Sequence, residues 1–113
     1  EESMKRYKYI EIYASSLGIR LLRAELELVE QMATMLRKHI PSCAVKPLYD
    51  DVDQKPLGYA LHKLGNKDYM VVHWLLRQLC CQGWEPFACT HEGRLGITYH
   101  CNHHLRLEFT DPE

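Results

Sequence analysis

Residues 97–109 alternate between apolar and polar side chains, and this run constrains the fold more than any other part of the sequence. The odd positions are Ile97, Tyr99, Cys101, His103, Leu105, Leu107 and Phe109, and the even positions are Thr98, His100, Asn102, His104, Arg106 and Glu108. A two-residue period places successive side chains on opposite faces of a β-strand. The run therefore predicts a long strand with one face toward a core and one face toward solvent.

A helix and a first hairpin strand are predicted just before this run. Val72, Leu75, Leu76 and Leu79 recur at helical spacing, which predicts a helix over residues 69–82 with Asp68 as its N-cap. Gly83 is the expected left-handed residue that ends the helix. Residues 84–91 are predicted to form the first strand of the hairpin, and residues 92–96, with two glycines, are predicted to form its turn.

The first half of the chain predicts one long helix between two strands. Residues 7–14 are rich in tyrosine and isoleucine, which favours a strand, and the apolar spacing over 20–40 predicts the longest helix, ended by Pro41. Residues 43–48 predict a short strand, which Pro47 confines to a sheet edge. Residues 49–54 predict a solvated acidic loop, and residues 56–64 predict one or two helical turns.

These elements predict a single α+β domain over residues 1–113, taken as a fragment of a larger protein. Its expected architecture is a small mixed sheet of about four strands with two main helices packed on one face. A winged helix with an extra N-terminal strand is the alternative. The predicted helix over 69–82 disfavours that alternative, because it presents few of the polar side chains that read a DNA groove.

Charge and composition restrict the functional classes. The 113 residues carry a formal net charge of -1, from 14 basic and 15 acidic side chains, and a duplex-binding domain usually carries a basic excess. No apolar run approaches the length of a membrane span, and no signal-peptide pattern is predicted because charged residues follow Met4. Five cysteines without a regular spacing indicate a reducing compartment, cytoplasmic or nuclear.

Aromatic side chains are the first candidate site. Tyr7, Tyr9 and Tyr13 share one face of the first predicted strand, and Trp74 lies off the core stripe of its helix. Tyrosine and tryptophan are enriched among the residues that dominate binding energy in protein interfaces. We therefore expect these four residues to bind a partner, by sheet-edge pairing or in a helix groove.

A zinc site is the second candidate. Cys101 and His103 fall on the same face of the predicted last strand, whereas His100 and His104 fall on the other. Zinc needs four convergent nitrogen or sulfur ligands, and Cys89 with His91 would supply the other two only in the right hairpin register. The set Cys89, His91, Cys101 and His103 is therefore the alternative metal site.

No arrangement of residues in the sequence favours catalysis over an ordinary structural role. We expect a non-enzymatic interaction or scaffold domain of a larger intracellular protein, without a cofactor. Its expected partner is another protein or peptide, with a homodimer left open and with neither membrane nor nucleic acid favoured. A winged-helix nucleic-acid binder and a zinc-binding module are the alternative functions.

Overall fold

The computed structural model describes the backbone of residues 5–15, 18–94 and 98–110, and the side chains of these residues outside positions 15, 91–94 and 98–101. Two strands, a helix, two strands, a helix and two strands follow one another in these ranges. They are β1 (Lys5–Ser15), β2 (Gly18–Leu22), α1 (Leu26–Leu36), β3 (Ala44–Tyr49), β4 (Pro56–His62), α2 (Asp68–Cys81), β5 (Glu85–Arg94) and β6 (Thr98–Thr110).

The strands form one six-stranded sheet in the order β3-β4-β2-β1-β6-β5, and the described pairings are antiparallel. The longest pairing joins β1 to β6, from Lys5 opposite Thr110 to Ala14 opposite Cys101. The predicted α+β class is confirmed. The predicted mixed sheet of about four strands is wrong in detail, because two further strands lie in segments with a helix-like apolar pattern.

The first of these segments contains β2. Residues 20–40 do not form one helix, because Gly18–Leu22 pairs with β1 and the helix covers only Leu26–Leu36. Ile19 and Leu21 are buried on one face of β2, which is the two-residue period of a strand. The sequence hides this period because Leu21 and Leu22 also continue the apolar spacing of the helix that follows. Arg23 has a φ of 65°, in the left-handed region, and separates β2 from α1.

The second segment contains β4. Residues 56–62 pair with β2 on one side and β3 on the other, so the predicted helical turns over 56–64 are wrong. The winged-helix alternative fails with them, because it needs a helix in that segment. The predicted strand over 43–48 is confirmed as β3, and Pro47 lies on the edge of the sheet as expected.

The core lies between the sheet and the two helices. Buried residues face one another across the sheet, since Ile10 is opposite Leu105, Ile12 is opposite Leu21, and Ile19 is opposite Leu61. The buried helical residues join the same cluster: Val29, Met32, Ala33 and Leu36 of α1, and Val71, Val72, Leu75 and Leu79 of α2. Both helices therefore pack on one face, and the described elements leave the other face without a helix.

Helix α2 ends at the predicted glycine. Gly83 has a φ of 96° and its N–H donates to the Cys80 carbonyl over 3.1 Å, while the Trp84 N–H donates to the Leu79 carbonyl over 3.0 Å. These two bonds form a Schellman motif, and Trp84 and Leu79, which occupy the positions that often make its apolar contact, are both buried in the core. At the other end the prediction is wrong: Lys67 is the N-cap, and Asp68 lies in the first turn.

Among the described helices, none is both long and apolar enough to cross a membrane.

Candidate functional site

The three predicted tyrosines lie on the helix-free face of the sheet. Tyr7, Tyr9 and Tyr13 occupy the positions of β1 that alternate with buried Ile10 and Ile12. The rings of Tyr7 and Tyr9 are 6.4 Å apart between centroids, and 44% of the Tyr9 surface is exposed. The strand alternation seen in the sequence therefore places this part of the candidate set correctly.

Trp74 does not join them. It lies on α2, on the opposite side of the sheet, where it is half-buried and packs against the hydrophobic core. The four predicted residues therefore lie on two sides of the sheet, with the three tyrosines on one side and Trp74 on the other.

Two other strands complete a cluster around the tyrosines, which we call the aromatic–arginine cluster: Tyr7, Tyr9, Phe87, His104 and Arg106. The Phe87 ring meets the Tyr9 ring edge-on at 6.0 Å between centroids and lies 6.1 Å from the His104 ring. The guanidinium of Arg106 lies 4.9 Å from the centre of the Tyr7 ring and 5.5 Å from that of Phe87. These distances are within the range of cation–π interactions.

The arginine is held in place by a carboxylate. Arg106 lies opposite Glu85 in the β5–β6 register, and its Nε and Nη2 donate to the two Glu85 oxygens over 3.3 and 3.4 Å. This hydrogen bonding, and then the negative charge of Glu85, raise the pKa of Arg106 above its ordinary value. The two contacts with Glu85 orient the guanidinium beside the Tyr7 and Phe87 rings.

A β-bulge directs Phe87 into the cluster. The register of β5 shifts between Pro86 and Ala88, which leaves Phe87 as the extra residue opposite β6. Ala88 then lies opposite His104, so two consecutive positions of β5 lie on the helix-free face. The sequence marks His104 and Arg106 as polar-face residues of β6, but their contacts with Phe87 depend on a register and a bulge that it does not reveal.

The two edge strands of the sheet differ in how open they are. β3 has six residues, carries Lys46 and Pro47, and has an irregular register at Leu48 and Tyr49. Charge, proline and bulges are the features that protect an edge from pairing with another chain. β5 has ten residues and also contains a proline and a bulge, at Pro86 and Phe87, but its stretch Phe87–Thr90 is exposed and uncharged.

The β5–β6 register pairs the four residues of the predicted metal site across the hairpin. Cys89 lies directly opposite His103, and His91 lies directly opposite Cys101. Cys89 is exposed and His103 is half-buried, while the side chains of His91 and Cys101 lie outside the described set. Among the residues whose side chains are described, no three histidine, cysteine or acidic side chains converge.

A cleft of about 470 Å³ opens on the helix side, where β2 ends. The last β2 residue, Leu22, pairs with Glu11, so the preceding residues of β1 have no β2 partner and border the cleft instead. Its apolar lining is Ile10, Leu28, Trp84 and Leu107. Lys8, Arg23 and Glu25 also line it, with Lys8 and Glu25 paired at 3.7 Å.

Cys43 is buried, unlike Cys80, Cys81 and Cys89, which are exposed. Burial raises the pKa of the Cys43 thiol, and the nearby Arg37 guanidinium opposes part of this rise. Because the folded chain holds the thiol proton more tightly, the contribution of Cys43 to stability is full below its ordinary pKa and declines as the pH rises above it.

Cys43 should therefore be the slowest of these four thiols to react. Iodoacetamide alkylates the thiolate form of cysteine. In the folded protein we therefore expect Cys80, Cys81 and Cys89 to be alkylated well before Cys43. Peptide mass spectrometry against time measures the four rates, and denaturant should make them similar. A folded protein in which Cys43 reacts as fast as Cys80 would contradict its burial.

In comparisons with known proteins, the chain matches no protein-family model and shows no significant similarity to a curated protein sequence.

Proposed function

We propose that this chain is a non-enzymatic interaction domain of an intracellular protein that binds an extended segment of another protein along β5. The observation that carries the proposal is the exposed, uncharged stretch Phe87–Thr90 on an edge strand that adjoins the aromatic–arginine cluster. An extended segment adds to such an edge through backbone hydrogen bonds, and alternate side chains provide specificity.

The choice of β5 rests on a comparison with the other open edges. β3 is shorter and carries Lys46 and Pro47. The part of β1 that β2 leaves unpaired contains Lys5, Arg6 and Lys8. Charges along an edge oppose pairing with another strand because pairing would remove them from water. The Phe87–Thr90 stretch has neither a charge nor a proline, and residues 88–90 beyond the bulge are in regular register with β6. This part of the edge therefore carries the fewest features that oppose pairing with another strand.

The aromatic–arginine cluster defines the chemistry of the partner. Phe87 and Tyr9 expose 47% and 44% of their surfaces, whereas the charge of Arg106 is already paired with Glu85. A partner residue that covers these rings gains by burying apolar area rather than by ion pairing. We therefore expect an uncharged segment with an aromatic or aliphatic residue seated against Phe87 and Tyr9.

The test is a selection of extended peptides from a random library on the immobilised protein, followed by affinity measurement for an enriched peptide. Phe87→Ala should weaken binding by about tenfold or more, as loss of a central aromatic anchor does. Tyr69→Ala is the matched control, because Tyr69 is 67% exposed but lies on α2, away from the cluster. It should leave the affinity unchanged.

A second pair of variants tests strand addition itself. Ala88→Lys places a charge on the β5 edge and should also weaken binding by about tenfold or more. Ala44→Lys makes the same change on the β3 edge and should have no effect. Amide hydrogen exchange should show new protection at residues 88–90 when the peptide is bound.

Three results would overturn the proposal. The first is that no peptide is enriched, or that enriched peptides bind Phe87→Ala and Ala88→Lys as tightly as the unchanged protein. The second is a concentration-dependent dimer that Ala88→Lys abolishes, which would assign β5 to a second copy of the chain. The third is salt-dependent binding of an oligonucleotide that Phe87→Ala abolishes, which would assign the cluster to nucleic acid.

A further inference from the structure

The β5–β6 hairpin contains the same three-residue pattern twice, a cysteine and a histidine separated by one residue. The two copies are Cys89-Thr90-His91 in β5 and Cys101-Asn102-His103 in β6. Residues two apart in a strand lie on the same face. Each strand therefore contributes one cysteine and one histidine position to a single face.

The register brings the two copies together in opposite order. Cys89 is opposite His103, and His91 is opposite Cys101, so the four positions form a rectangle with the cysteines on one diagonal and the histidines on the other. Directly opposed residues of an antiparallel pair have Cα atoms about 4.5–5.5 Å apart, and residues two apart along a strand are separated by about 6.5–7 Å.

The four positions lie on the helix-side face. His103 is two residues from Leu105, which is completely buried against the helices, and Ala14, the β1 neighbour of Cys101, packs against the core. The aromatic–arginine cluster, which contains His104 and Arg106, lies on the other face of the same hairpin. The rectangle of ligand positions therefore lies on the opposite face from the aromatic–arginine cluster, and it shares only Cys89 with the β5 stretch proposed for partner binding.

We propose that Cys89, His91, Cys101 and His103 bind one zinc ion. Two thiolates and two imidazoles in a tetrahedral arrangement are a set that zinc takes in closed structural sites, and the soft thiolates disfavour magnesium and calcium. Alternating cysteine and histidine corners supply both ligand types from each strand. The ion cross-links β5 to β6, the only strand that pairs with β5 in the described part of the sheet.

The experiment titrates metal-free, reduced protein with Co²⁺ and then with Zn²⁺. We expect one Co²⁺ per chain, with thiolate-to-cobalt charge-transfer absorption and tetrahedral visible bands, and displacement of the cobalt by one Zn²⁺. Bound zinc should also slow alkylation of Cys89 and Cys101, while Cys80 and Cys81 react at their metal-free rates. Co²⁺ binding that lacks charge-transfer absorption would overturn the proposal, as would no binding at all.

Variants distinguish zinc binding at the four proposed ligands from zinc binding at other cysteines or histidines of the chain. Cys89→Ser and His103→Ala should each lower the zinc affinity by more than the roughly 10–100-fold that loss of an outer-shell partner costs. Cys80→Ser and His104→Ala are the matched controls, because Cys80 lies on α2 and His104 lies on the opposite face of β6. The proposal fails if either control loses metal as the first two variants do.

Folding is checked separately from metal binding. Cys89 is exposed, so Cys89→Ser should keep the circular dichroism spectrum of the metal-free protein. Zinc should raise the thermal midpoint of the unchanged protein and of the two control variants, because a ligand that binds only the folded state stabilises it. The midpoint of Cys89→Ser should stay fixed at the same zinc concentration, and a rise equal to that of the unchanged protein would contradict the site.

Discussion

Trp84→Ala is expected to lower the free energy of unfolding by about 3–5 kcal/mol, the usual cost of truncating a large buried aromatic side chain. Trp84 is only 9% exposed and belongs to the central cluster of the core. It also follows the glycine that ends α2 and directs the chain into β5. A domain of this kind is stable by about 5–15 kcal/mol in total, so the loss is a large share.

Urea unfolding followed by circular dichroism measures this effect, and Trp74→Ala is the matched control. Trp74 is half-buried at the margin of the core, so its truncation should cost clearly less. The backbone bond from the Trp84 N–H to the Leu79 carbonyl is available to alanine as well, so the difference between the two variants reports side-chain packing. Equal losses would contradict the central position of Trp84.

Gly58→Ala is expected to cost about 3 kcal/mol, at the upper end of the range for overpacking, because the added methyl group meets backbone rather than a movable side chain. A Cβ atom at Gly58 would overlap the Leu21 carbonyl oxygen and approach the Leu22 Cα to 2.7 Å. Both atoms belong to β2, which pairs with β4 at this point. Relief of the overlap requires the two strands to separate.

Gly65→Ala provides the comparison for Gly58. Gly65 has a φ of 61°, but no atom lies within 4 Å of the Cβ position, so its substitution carries only the cost of left-handed backbone, about 1–2 kcal/mol. Thermal and urea unfolding of both variants measure the difference. The explanation by strand overlap is refuted if Gly58→Ala is as stable as Gly65→Ala, or more stable.

The elements with a clear period or terminator could be predicted from the sequence. Alternation is long enough in β1 and β6 to exclude a helix, and Gly83 marks the end of α2 where the structure places it. The five residues of β2 are too few to show an alternation, because Leu21 and Leu22 also continue the apolar pattern of the helix that follows. The sequence of β4 likewise shows no clear strand pattern, because its pairing with β2 and β3, rather than its own residues, fixes its conformation.

Part of the candidate site could also be predicted from the sequence, and part could not. Alternation places Tyr7, Tyr9 and Tyr13 on one face, because that placement depends only on β1 itself. The contacts of Phe87 and Arg106, and the opposition of Cys89 to His103, depend on which residues of two strands face each other. A bulge in β5 shifts that register, and the residue beside it, Pro86, indicates an edge strand or a bulge without fixing which residues of β6 it faces.

The pairing of β1 with β6 has a consequence for how the chain folds. The first and last strands are neighbours near the middle of the sheet and share ten register pairs, so the largest set of backbone bonds joins segments about ninety residues apart. Contacts this distant in sequence make folding slow, because a long loop must close before they form. During synthesis β1 emerges first, and its edge toward β6 must wait unpaired until nearly the whole domain has left the ribosome.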